Sequence, residues 1–202
     1  MENQELEMAA EALAIKLLND PEAAREDLSE AGFQDPNRAL KNLESLVEFG
    51  TRAPLPSVLF RELIRAPDPD RALNSFERVV KAVISPSGFL RFLEDRPGTL
   101  NLLIVLLGSS QYMADILVRD PEYFYWLVEH PLPWPRSREE LRIEFEDGVE
   151  NVVEVAARLN GIRRIVRREL LRIGANDLVA GQPIYEVADD LYRVLTFDDH
   201  RE

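Results

Sequence analysis

The sequence contains no cysteine and only two histidines among its 202 residues. The absence of cysteine excludes disulfides and thiolate metal sites, and it is consistent with the cytoplasm, where we expect the protein to be. With only His130 and His200 available, no Ser-His-Asp or Cys-His catalytic set can be assembled, and no histidine-based metal site. We therefore predict no catalytic, cofactor-binding or metal-binding residue in this chain.

A long apolar run and an excess of positive charge are also lacking. The longest apolar run, Leu102–Leu107, is far shorter than the ~20 residues that a membrane-spanning helix needs. The formal net charge is -13, and such a field attracts neither nucleic acid nor an anionic membrane. The acidic N-terminus, residues 1–11, does not resemble a signal peptide. We expect a soluble protein with no nucleic-acid or membrane partner.

Helical periodicity is present in almost every segment, and no stretch alternates convincingly with a period of two. Asp-Pro pairs at residues 20, 35, 68 and 120 each place an N-cap acceptor before a proline at the first helical position. The stretches 35–47 and 68–80 match each other at an offset of 33 residues, which suggests stacked helix pairs. The predicted fold is all-α, a multihelical array of helix pairs that ends in long antiparallel helices.

A proline-rich stretch between two helical regions predicts the domain organisation. We expect an N-terminal helical array at 1–130, a connector at 131–136 and a long-helix bundle at 137–202. Trp134 in the connector has two interpretations: a ligand-docking aromatic, or the more common aromatic that fixes a connector to the core. Ser137 and Glu140 match a capping box and predict the start of a helix at 138–158.

Five arginines are concentrated in the stretch Ile162–Ile173, which we call the arginine segment. They are Arg163, Arg164, Arg167, Arg168 and Arg172, with Glu169 as the single acid among them. Apolar residues recur there at spacings of three and four, which predicts an amphipathic helix at 161–179 with the arginines opposite its apolar side. Like charges four residues apart repel each other, so an acidic surface is expected to face them.

Two partners for these arginines are open. The preceding helix 138–158 is acidic, and a tight turn at Asn160-Gly161 would set it antiparallel to the arginine segment, so that the arginines pair internally. Alternatively, the same five arginines form a docking site for another domain or for an acidic protein surface.

One stretch of the sequence resembles a catalytic motif in its spacing. Gly108-Ser109 followed by Asp120-Pro121-Glu122 has the spacing of a nucleotidyltransferase site, whose acidic pair holds magnesium. Such a pair works on a strand, where alternate residues face the same side. Here the spacing is helical, so we interpret Gly108 as a break between two helices and Ser109 as an N-cap. The flanking apolar residues are predicted to be buried: Leu103, Leu106, Leu107, Ile116 and Leu117.

Three runs in this order carry a resemblance to a known family. They are Ala66–Arg78, Leu106–Glu122 and Ile162–Asp177. Their order and spacing resemble the glutamine synthetase adenylyltransferase family, the bifunctional adenylyl-transferring and adenylyl-removing enzymes of bacterial nitrogen control. The similarity extends over residues 60–195, and the first sixty residues contribute little to it.

The resemblance implies a non-catalytic helical segment that precedes a nucleotidyltransferase domain using ATP and magnesium. In the family that domain carries a Gly-rich turn and an Asp-x-Asp pair on a strand, and this sequence reaches Glu202 without either. We therefore expect the chain to position that domain and to help it engage glutamine synthetase or a regulatory protein. None of the matching positions is catalytic. The alternative is a free-standing helical adaptor that binds an acidic partner through the arginine segment.

Overall fold

In a computed structural model of the chain, the described residues are 8, 10–13, 15–16, 19–20, 22–49, 55–150 and 152–196. They form helices and no strand, which confirms the all-α prediction. His200 lies outside the described residues. The helices with complete bounds are α1 (Ala24–Glu30), α2 (Pro36–Glu48), α3 (Leu55–Arg65), α4 (Pro69–Ala82), α5 (Pro86–Glu94), α6 (Pro97–Ser109), α7 (Gln111–Arg119), α8 (Glu122–Val128), α9 (Arg138–Asp147), α10 (Val155–Leu178) and α11 (Ile184–Leu195).

Contacts divide the chain into two compact units, Met1–Phe124 and Tyr125–Glu202, with the boundary inside α8. In the first unit α4 is central and contacts α2, α3, α5, α6 and α7. The five apolar residues predicted to be buried on α6 and α7 are all at most 4% exposed, which confirms that prediction.

The two Asp-Pro helices of the internal repeat pack against each other as α2 and α4. The Asp35 carboxylate accepts the backbone N–H of Arg38 at 3.0 Å, and the Asp68 carboxylate accepts that of Arg71 at 2.9 Å. Asp70 on α4 reaches across to accept the backbone N–H of Asp35 at 3.1 Å. The predicted N-caps at residues 35 and 68 are confirmed, and the cap of one copy is held by a side chain of the other.

The prediction of a break at Gly108 with Ser109 as an N-cap is wrong: the break lies two residues later, at Ser110, and the N-cap one residue later. Gly108 lies in the last turn of α6, and Ser110 caps α7 by accepting the backbone N–H of Met113 at 3.4 Å. A Cβ on Gly108 would lie 3.2 Å from the Cβ of Ala66. Gly108 therefore lets α6 pack closely against Ala66, and the helix continues through the glycine rather than ending at it.

The prediction of one helix at 138–158 is also wrong, because α9 ends at Asp147 and α10 begins at Val155. Gly148 caps α9, and the residues after it include β-branched Val152 and Val153, which propagate a helix poorly. Gly161 is not in a turn but inside α10, where a Cβ would lie 2.8 Å from the carbonyl oxygen of Gly148.

The second unit is built on α9, α10 and α11, which contact one another. Its buried apolar cluster consists of Leu141, Phe145, Ile165, Ile173, Val187 and Val194. The predicted capping box at the start of α9 is confirmed: Ser137 Oγ accepts the backbone N–H of Glu140 at 3.2 Å, and the Glu140 carboxylate accepts that of Ser137 at 2.7 Å. The proline-rich segment 131–136 belongs to this unit.

Candidate docking surface on the arginine helix

The arginine segment occupies the middle and later turns of α10, and its five arginines have different surroundings. Arg163 and Arg164 are exposed, Arg167 and Arg168 are half-buried, and Arg172 has no exposed surface. The prediction that all arginines lie opposite the apolar side is therefore wrong for Arg172.

Arg172 is buried because polar groups surround its guanidinium. Its Nε donates to Glu169 Oε2 at 2.7 Å, and its Nη1 donates to Asp190 Oδ2 at 3.0 Å. The same Nη1 also donates to the carbonyl oxygen of Trp134 at 2.7 Å. A buried charge is tolerated only when it is paired and hydrogen-bonded, and this arginine joins α10, α11 and the proline-rich segment.

Glu169, the one acid of the arginine segment, is also fully buried. Its second carboxylate oxygen accepts from Arg136 Nη1 at 2.6 Å. Arg136 in turn pairs with Glu144 on α9, as does Arg168 on α10. The predicted internal pairing of arginines with the acidic helix is therefore confirmed for Arg168.

The pairing also shows that α9 and α10 are antiparallel. Gly148 follows the end of α9 and lies against Gly161 in the first half of α10, whereas Glu144, earlier in α9, pairs with Arg168, later in α10. The antiparallel arrangement was predicted, although the link between the helices is the segment 148–154 rather than a turn at Asn160-Gly161.

Trp134 fixes the proline-rich segment to this unit, as the second of its two interpretations predicts. Its backbone N–H donates to Asn176 Oδ1 at 2.9 Å, and its carbonyl accepts from Asn176 Nδ2 at 3.1 Å. Its ring stacks on His130 with centroids 3.4 Å apart and planes 4° apart. Trp126 packs against Trp134 at 4.7 Å, and the guanidinium carbon of Arg168 lies 4.5 Å from the centroid of the Trp126 ring. The aromatic cluster thus holds an arginine by a cation–π contact.

Arg163 and Arg164 have no acidic partner among the described residues. Arg163 donates to Asn160 Oδ1 at 3.2 Å, and the side chain of Arg164 makes no hydrogen bond or ion pair with any described residue. These two are the part of the predicted docking set with both charge and exposure. The arrangement places two adjacent positive charges at the surface of an acidic chain, where an acidic partner surface would neutralise them.

The sequence did not identify Asn176, Arg136 and Asp190 as partners of the arginine segment. One signal was available for Asp190: it occurs at a spacing of three and four from Val187 and Val194 in the amphipathic helix 184–195, so the pattern places an acid on the buried side. A buried acid requires a cation, and Arg172 supplies it.

The possible catalytic motif near Gly108 lies on helices and on the short link between two of them. Asp120 is the C-cap of α7, with its backbone N–H donating to the carbonyl of Ile116 at 2.9 Å, and Glu122 begins α8. The helical interpretation of this motif is confirmed. Among the described residues no group of three or more His, Asp or Glu side chains is arranged to hold a metal ion. Within the same residues, every helix is too short or too polar to cross a lipid bilayer.

Comparison with known proteins gives one family and a set of similar enzymes. A family model described as glutamate-ammonia ligase adenylyltransferase matches residues 100–196, which include the whole arginine segment. The chain is similar to proteins named bifunctional glutamine synthetase adenylyltransferase/adenylyl-removing enzyme. The one from Mycobacterium tuberculosis is 32% identical over 185 residues, covering 86% of this chain and 18% of the relative. That from Cutibacterium acnes is 31% identical over 181 residues, covering 87% and 17%. That from Mycobacterium leprae is 31% identical over 182 residues, covering 86% and 18%.

Proposed function

The chain belongs to the glutamine synthetase adenylyltransferase family through residues 100–196, and from this membership we propose that it is a non-catalytic helical domain of such an enzyme. Its role is to position a nucleotidyltransferase domain that modifies glutamine synthetase in the control of nitrogen assimilation. The chain spans about a fifth of the length of the curated relatives, so the catalytic domain is proposed outside these residues. A cytoplasmic location is part of the same proposal.

The observation that carries the proposal is the helical structure of the matched residues. Among the described residues of 100–196 none is in a strand. A nucleotidyltransferase holds magnesium on an acidic pair that a strand presents on one side. In this proposal ATP and magnesium bind the domain outside this chain, and no residue described here holds them.

Arg163 and Arg164 are the proposed contact with that domain or with glutamine synthetase. Their charges are exposed on α10, while Arg168 and Arg172 are engaged within the second unit. Two exposed cations on a chain of net charge -13 favour an acidic partner surface, and charge complementarity of this kind sets orientation and association rate.

The test measures label transfer from radioactive ATP, in the presence of magnesium, to glutamine synthetase. Residues 1–202 alone should transfer no label, and the full-length protein should transfer it. A full-length variant carrying Arg163→Glu and Arg164→Glu should transfer it more slowly. A matched variant, Arg38→Glu with Lys41→Glu, reverses two exposed charges on α2 and should retain the wild-type rate. Transfer by the isolated chain, abolished by Asp120→Asn, would refute the proposal.

The exposure of Arg163 and Arg164 equally favours the second candidate, a free-standing adaptor that binds an acidic partner. The reading frame beyond Glu202 separates the two functions. A Gly-rich turn followed by Asp-x-Asp supports the positioning role, and a stop codon supports the adaptor.

A further inference from the structure

The C-terminal helix α11 carries an apolar surface that the described residues leave uncovered. Its large members are strongly exposed: Ile184 is 78%, Tyr185 69%, Tyr192 56% and Leu195 69% exposed. With exposed Ala188 they form a set that we call the α11 stripe. Single exposed apolar side chains are ordinary, but four on one 12-residue helix mark an interaction surface.

The stripe is a continuous face of the helix. With 3.6 residues per turn its five members fall within an arc of about 100°. The neighbouring arc carries Val187 and Val194, which are buried against α9 and α10. The polar residues Glu186 and Asp189 lie on the remaining side and are exposed. The apolar face of α11 is therefore wider than the part its own unit covers.

The size of the stripe decides which occupant it suits. A buried aromatic side chain removes about 150–250 Å² from water, so four partly exposed apolar side chains provide less than the roughly 800 Å² per partner of a stable complex between separate proteins. This excludes a second copy held by the stripe alone. A domain on the same polypeptide needs less area, because its effective concentration reaches about the millimolar range.

The charge around the stripe excludes a lipid surface. Helices that lie on membranes present lysine or arginine beside their apolar face, whereas α11 presents Glu186 and Asp189, and its Arg193 is ion-paired with Asp189. The protein as a whole is acidic, with net charge -13. A folded protein surface with apolar side chains is the remaining occupant.

We propose that the α11 stripe packs against a further domain of the same polypeptide, namely the nucleotidyltransferase domain of the proposed function, on which this inference rests. Two observations identify that occupant. The family match ends at residue 196, one residue after α11, and the 185-residue alignment with a relative covers only 18% of that relative's length. The stripe thus lies at the edge of the matched region, and most of a full-length relative lies outside that region.

Thiol labelling tests the contact, because residues 1–202 contain no cysteine. Ala188→Cys and Tyr192→Cys place a thiol on the stripe, and Glu186→Cys places the control thiol on the exposed polar side. Each is introduced into residues 1–202 and into the full-length protein, and the rate of maleimide labelling at that site is measured by mass spectrometry. The stripe thiols should react at least tenfold more slowly in the full-length protein, while the control thiol reacts at similar rates in both.

Equal rates at both stripe positions would overturn the inference, and so would a reading frame that ends at Glu202. Protection that appears in residues 1–202 alone and rises with protein concentration would also overturn it, in favour of self-association. The labelling results are distinct from failure of the proposed function, which is measured by label transfer to glutamine synthetase, whereas a reading frame that ends at Glu202 would overturn both. Unprotected stripe thiols together with Arg163-dependent transfer would refute only the contact.

Discussion

Arg172 on α10 and Asp190 on α11 form an ion pair in the interior of the second unit, with 3.0 Å between Nη1 and Oδ2. Neither side chain exposes more than 5% of its surface. The guanidinium also holds Glu169 on its own helix. Arg172 thereby bonds to two buried carboxylates, and because Arg136 also pairs with Glu169, α11 can pack on α10 with an acid on its buried side.

Replacing Arg172 with Met should destabilise the second unit by about 3–5 kcal/mol, because it removes the cation that hydrogen-bonds to buried Asp190 and leaves that carboxylate facing Arg193 at 3.9 Å. Both tryptophans of the chain, Trp126 and Trp134, lie in this unit. Their fluorescence during urea denaturation therefore reports on its free energy of unfolding. Arg163→Met is the control and should change that free energy by no more than about 0.5 kcal/mol. Equal effects of the two variants would contradict the assigned role of Arg172.

Gly161→Ala should destabilise the chain by about 1–3 kcal/mol, since the added Cβ would lie 2.8 Å from the carbonyl oxygen of Gly148 and overpacking costs that much. Alanine is otherwise the better helix former. If Gly161 is needed for packing, the substitution should therefore lower stability, and if it merely occupies a helical position, the substitution should raise stability. Gly98→Ala on α6 is the control, because a Cβ there meets no atom within 4 Å. Thermal unfolding followed by circular dichroism measures both, and a stabilised Gly161→Ala protein would disprove the contact.

Arg168→Glu and Arg164→Glu should separate the two uses of the arginine segment. Arg168 pairs with Glu144 and stacks on Trp126, so its reversal should lower the free energy of unfolding by more than the ~0–1 kcal/mol of an exposed pair. The loss should shrink in high salt, which screens the new repulsion. Arg164→Glu should leave stability unchanged in residues 1–202. Urea denaturation at low and high salt checks both, and equal losses would show that exposure does not distinguish them.

Glu140→Gln should lower stability near neutral pH by less than about 1 kcal/mol, the range for solvent-exposed charges. Hydrogen bonds from the Ser137 side chain and backbone hold the pKa of the Glu140 carboxyl below its usual value. A carboxyl with a lowered pKa stabilises the folded state above its unfolded pKa of about 4.3, and this contribution disappears as the pH falls through the folded pKa. The difference between wild type and variant should therefore vanish in acid. Urea denaturation at pH 6 and at pH 3 measures it, and a constant difference would contradict the carboxylate's role.

Local chemistry made much of the fold predictable from the sequence. Asp35, Asp68 and Ser137 cap helices because each is a short acceptor before a proline or before a glutamate at the third position, and such signals act within one turn. The burial of Leu107 followed from the density of apolar residues around it. The break after Asp147 was missed because charged residues at helical spacing continue past Gly148, and they outweighed the weaker local signal of Val152 and Val153.

The candidate site was only partly predictable. The arginines were recognisable as a group, but periodicity treats every arginine as a surface residue and could not place Arg172 inside. Its partners Trp134 and Asp190 lie 38 and 18 residues away in the chain, beyond the reach of any helical pattern. Docking through Arg163 and Arg164 stays a prediction, because the partner lies outside the described residues.

The carboxamide of Asn176 occupies the place that a neighbouring β-strand would take beside Trp134, since it accepts from the N–H and donates to the C=O of one residue. From Pro133 to Pro135 this N–H is the one backbone donor, so a single side chain satisfies every N–H that this stretch could offer a strand. Together with the pairing of Arg136 and Glu169, this contact at Trp134 sets the alignment of the stretch with α10. Insertions or deletions between α8 and α9 are compatible with this alignment only if they leave Trp134 opposite Asn176. We therefore expect the two residues to be retained together or lost together.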